Sequence, residues 1–141
     1  MRNTSLGAVV LSRGFTIIEL LVTLVIAGVI AAVALPSFLA QLTQGRRVDA
    51  VEALQALQQA QEIWRGAQPS YAASLSALGL AAASKGGDYT LSLSDATSSG
   101  YTARATAVAG RRQAADTACA TLTLTVAGGG ISQTPAECWQ R

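Results

Sequence analysis

The feature that most constrains this chain is an apolar run near its N-terminus, FTIIELLVTLVIAGVIAAVAL, in which Glu19 is the only formal charge between Phe15 and Leu35. As a helix rising roughly 1.5 Å per residue, a stretch of about 20 residues covers the roughly 30 Å hydrocarbon core of a bilayer. The run also explains the composition. Half of the 141 residues are hydrophobic and 13% are charged, where a soluble domain carries about 25% charged residues. The apolar excess is therefore concentrated in one segment, and a chain of this length holds one domain besides it.

Several kinds of chemistry are excluded by composition. The chain contains no histidine, which removes histidine general bases, Ser-His and Cys-His catalysis, and histidine zinc sites. Its net charge is +2, without the basic stripe usual in a small nucleic-acid binder. Cys119 and Cys138 form no CxxC and are too few for a four-cysteine metal site; one disulfide or two free thiols are both open. Asp88, Asp95, Asp116 and Glu137 are scattered, with no calcium-loop spacing. Gly128-Gly129-Gly130 lacks the Lys-Ser/Thr of a phosphate loop and reads as a hairpin or flexible loop. No catalytic, cofactor or metal residue emerges, and no enzyme is expected.

Two ordinary explanations of the apolar run fail on particular residues. A cleaved secretory signal has an apolar core of about 7–15 residues and a small-residue cut site, whereas this run contains Glu19 and continues into Pro36-Ser37-Phe38. A generic anchor leaves Glu19 unexplained, because an ionisable group at membrane depth costs on the order of 2.5–3.5 kcal/mol and normally has a partner. No Lys, Arg or His lies between Phe15 and Arg46.

The residues Arg13-Gly14-Phe15-Thr16-Ile17-Ile18-Glu19-Leu20-Leu21 resemble the class III signal of type IV prepilins and type II secretion pseudopilins. The resemblance implies a leader, residues 1–14, cut between Gly14 and Phe15 by a membrane-embedded prepilin peptidase, with N-methylation of Phe15. It further implies a single-pass, N-in inner-membrane precursor that an inner-membrane assembly platform feeds into an extracellular filament of pilin subunits. Arg2 and Arg13 on one side and Arg46 and Arg47 on the other would not orient the chain by charge alone. Cutting removes two of the ten basic residues, leaving eight against eight acidic ones. It also creates an amino cation at Phe15, four residues from Glu19 and on the same helical face. Between subunits, the same pair would fix register in the filament, which makes Glu19 an assembly residue. Gly28 and Pro36 bound a stretch that extends on assembly in that family.

The helix is expected to continue through residues 41–66. Val48, Val51, Leu54, Leu57, Ile63 and Trp64 would face a globular head, and Gly66 and Pro69 would end it. Arg46 and Arg47 read as solvated helix charges near Asp49 and Glu52. A loop follows in which Tyr71, Leu75, Leu78 and Leu80 cover a sheet edge. YTLSLS, YTARATAV and TLTLTV then alternate with period two, the mark of antiparallel strands covered on one face. The expected fold is α+β, the type IV pilin fold, with residues 67–141 as the head. In that topology the head lies outside the cytoplasm, where Cys119 and Cys138 are expected to be oxidised; the closed loop would add about 3 kcal/mol.

Ala136-Glu137-Cys138-Trp139, the Arg46-Arg47-x-Asp49-Ala50 stretch and the short head resemble the PilE-like minor-pilin branch. The expected function is a structural minor pilin. The alternatives are a type II secretion pseudopilin and a DNA- or surface-binding pilus subunit, for which Arg104, Arg111 and Arg112 with Tyr101 are the candidate patch.

Overall fold

The computed structural model describes residues 14–140; the leader charges Arg2 and Arg13 lie outside them. Helix α1 runs from Ile17 to Ala67. The chain divides after Phe38 into two compact units.

In the first unit the helix is built from Leu, Ile, Val and Ala, and its large apolar side chains are exposed, from Ile17 at 81% and Ile18 at 66% onward, as is Phe15 ahead of it. It is long and apolar enough to cross a membrane, with a mean hydropathy of 2.7 over its most apolar window. The hydroxyls of Thr23 and Ser37 donate to the carbonyls of Leu20 and Ala34, each at 2.9 Å, so these polar groups need no outside partner in an apolar medium. The helix is continuous through Gly28 and Pro36.

The second unit joins the rest of α1 to a four-stranded antiparallel meander: β1 (Tyr89–Ser94), β2 (Gly100–Ala107), β3 (Thr121–Ala127) and β4 (Gly130–Thr134), in the order β1-β2-β3-β4. Helix residues Ala50, Val51, Leu54, Leu57 and Gln61 are buried. They follow the three- and four-residue steps of one helical face. The inward positions of the sheet complete the core: Ala103 and Ala105 of β2 lie between Leu91 and Leu93 of β1 and Leu122 and Leu124 of β3. Small side chains on the middle strand, flanked by large ones, leave a shallow trough that a helix can fill. Tyr71, Leu75, Leu78 and Leu80 pack against this core, as expected. The backbone edge of β1 is covered by residues 82–84, through the bond from Leu91 N–H to the Ala82 carbonyl at 2.7 Å.

One expectation is corrected and one strand is added. Ile63 is 78% exposed and outside the core. It lies six residues past Leu57, about 120° off the buried stripe, whereas Gln61 falls on the stripe. Gly128-Gly129 is a tight two-residue hairpin turn, the first of the two readings its sequence allowed. Both glycines have positive φ, +56° and +84°, the conformation such turns require. The turn launches β4, a fourth strand that the sequence pattern did not reveal. Gly100 opens β2 because a Cβ there would collide with the Val126 carbonyl.

Candidate functional site: the capped helix and the clasped head

At the N-terminus the helix starts one residue after Thr16, whose hydroxyl accepts the Glu19 N–H at 3.3 Å. Thr16 is thus the N-cap and Glu19 the third helical residue, the T-x-x-E pattern of a capping box. Phe15 precedes the cap, outside the helix, so the expectation that Phe15 and Glu19 share a helical face is corrected. The T-x-x-E signal was present in the sequence, and Thr16 is the functional residue it would have supplied.

The head is closed by a polar clasp. Arg47 donates through Nε and Nη2 to Asp116 Oδ2 and Oδ1 at 2.7 and 3.0 Å. Asp116 also accepts from Gln113 Nε2 at 2.9 Å. Arg47 is therefore not a solvated helix charge; it ties the helix to the segment before β3. Its bond to Asp116 pushes the guanidinium pKa further up against the opposing effect of burial. Cys119 and Cys138 are disulfide-bonded, with Cα atoms 5.7 Å apart, and both are buried in the core cluster. The bond joins the chain just before β3 to the chain just after β4, closing the hairpin. Tyr89 Oη donates to the Cys119 carbonyl at 3.4 Å, and burial pushes its phenol up to about 12. Burial pushes the Tyr101 phenol up as well.

Two further clamps hold the loop between helix and sheet. The buried Gln61 amide donates to the Ala72 carbonyl at 2.9 Å and accepts the Ala72 N–H at 2.8 Å. Asp49 accepts from the Ser84 hydroxyl and from Gly86 N–H at 2.9 Å. An open groove of about 360 Å³ lies between helix and loop, with a floor of Ala53, Ala56, Leu80 and Leu91. Among the described residues no three His, Cys, Asp or Glu side chains converge as a metal site.

The candidate basic patch is split. Tyr101 points inward, 1% exposed, against the Tyr71 ring at 4.9 Å between centroids. Arg111 faces Asp88 at 3.6 Å and donates to the Gly86 carbonyl at 3.3 Å. Arg104 projects from the opposite, outward face of β2, where it is exposed.

An apolar, capped helix leading into a disulfide-clasped α+β head defines a type IV pilin. The comparisons agree with this class. A family model described as prokaryotic N-terminal methylation motif matches residues 8–35, and one described as type IV minor pilin ComP, DNA uptake sequence receptor, matches residues 36–123. The second match covers more than half of the chain, and the chain belongs to that minor-pilin family. It is a minor pilin of a type IV pilus and assembles with other pilin subunits. The motif and the apolar helix fit membrane anchoring followed by pilus assembly. No curated protein matches the chain.

Proposed function

We propose that this pilin is made as a single-pass, N-in inner-membrane precursor, cut between Gly14 and Phe15 by a prepilin peptidase and methylated at Phe15. An inner-membrane platform then moves its helix from bilayer to filament core, and the head emerges outside the cytoplasm. The observation that carries this reading is the exposure of nearly every large side chain of residues 15–39 in the single chain. Such a surface is stable only in lipid or against other helices. Glu19 meets the Phe15 amine of a neighbouring subunit and sets register, a use for which desolvated ion pairs are suited. Gly28 and Pro36 loosen the stretch between them as the subunit enters the filament, since each weakens the helical hydrogen-bond ladder. The test is incorporation of Glu19→Ala and Glu19→Val into sheared filaments. Strong loss is expected, and incorporation at the wild-type level would exclude the assembly role.

The description of the matching family, a DNA uptake sequence receptor, favours a second role, in which the head binds DNA at the pilus surface. Arg104 and Arg112 are its candidate contacts, since Arg111 is held by Asp88 and the Gly86 carbonyl. Alanine replacement of both is expected to abolish DNA binding while filaments form normally.

A further inference from the structure

We infer that the outward face of the sheet, a field of hydroxyls centred on Arg104, is the surface on which the head receives the backbone of double-stranded DNA; this rests on the DNA-receptor reading above. The register places Arg104 between Ser92 of β1 and Thr123 of β3, with Thr134 of β4 completing the row. Along β3 the row is flanked by Thr121 and Thr125. Every other outward position of β1 between Thr90 and Ser94, and of β2 between Thr102 and Thr106, is also Ser or Thr. No carboxylate occupies those positions; the one bonded to the face, Asp95, accepts the Ser94 hydroxyl at 2.8 Å at the end of β1, two residues along the strand from Ser92 beside Arg104.

Three other cations of the head are spent inside the molecule: Arg47 on Asp116, Arg111 beside Asp88, and Arg65 on the carbonyls of Gln68 and Ser98. Arg104 makes no ion pair among the described residues. Arginine with threonine and serine hydroxyls is the side-chain set that contacts phosphate and fixes orientation without reading bases.

The same face points to a duplex rather than a single strand. Single-strand binding needs aromatic platforms on which bases stack. The sheet's aromatic residues, Tyr89 and Tyr101, are both buried on the inner side, and the outward positions of β1, β2 and β3 carry none.

The test is fluorescence anisotropy of the full mature chain in detergent micelles with labelled duplex and single-stranded oligonucleotides across a salt series. The wild type should prefer duplex. Arg104→Ala should bind about tenfold more weakly and lower the slope of log affinity against log salt by about 0.9, the share of one phosphate. Arg104→Lys should restore the slope, and Thr123→Val should weaken binding without changing it. An unchanged affinity and slope in Arg104→Ala would overturn the assignment of this face. Equal binding of single strands, or competition by heparin as effective as by unlabelled duplex, would overturn duplex DNA as its occupant. Absence of wild-type binding at every salt concentration would instead overturn the DNA-receptor reading on which the face depends.

Discussion

Arg47 on the helix and Asp116 ahead of β3 are joined by two hydrogen bonds, at 2.7 and 3.0 Å, across 69 positions of sequence. The Asp116 side chain is only 8% exposed. Removing one partner would leave the other charge largely desolvated and unpaired. Arg47→Ala and Asp116→Ala are each expected to cost about 2 kcal/mol in chemical denaturation of the detergent-solubilised chain. The double variant should cost less than the sum of the two. Additive losses would show that the two residues act separately.

Gln61 is the second tether, and its loss should be more severe. Gln61→Leu keeps the helix and the volume but leaves the buried Ala72 N–H and carbonyl without partners. The expected loss is about 2–4 kcal/mol, together with faster hydrogen exchange at Ala72. A stable Gln61→Leu variant with a protected Ala72 amide would contradict this.

Reduction of the Cys119–Cys138 bond opens the loop that closes the β3-β4 hairpin. Cys119→Ser with Cys138→Ser is expected to lower stability by about 3 kcal/mol. Protease susceptibility should rise first within residues 120–137. Unchanged melting and unchanged cleavage would count against the clasp.

Stability should also fall at high pH. Burial raises the Tyr89 phenol from 10.0 to about 12, and raises Tyr101 too. Below about pH 10 both the folded and unfolded states hold these protons, and the stabilisation is complete. Between about pH 10 and 12 the unfolded chain releases them while the folded head keeps them, so unfolding releases protons and stability falls as pH rises. Melting temperatures measured across that window should decline, and Tyr89→Phe should flatten part of the decline. A flat profile in the wild type would contradict it.

Much of this fold was legible because its signals are periodic. The apolar run, the helical stripe through Val51, Leu54 and Leu57, and the alternation in YTLSLS and TLTLTV each imply a buried face from residue order alone. What was missed is polar or short. GISQT of β4 is exposed at every position, so it shows no burial alternation; its turn residues were the only cue. Gln61 and Arg47 look like surface residues because their partners, Ala72 and Asp116, lie 11 and 69 positions away. Tyr101 stands close to Arg104 in sequence, but alternation along β2 sends the two to opposite faces. The site at the helix start was half read: the signal around Gly14, Phe15 and Glu19 stood out, while the Thr16 cap within it did not.

On the proposed reading, this chain becomes a filament subunit through processing at its N-terminus. The most direct measurement is the intact mass of the protein recovered from sheared, purified pili. The expected species is a chain beginning at Phe15 and carrying one added methyl group. A filament-associated protein that retains Arg13 and Gly14, or one that begins elsewhere, would contradict it.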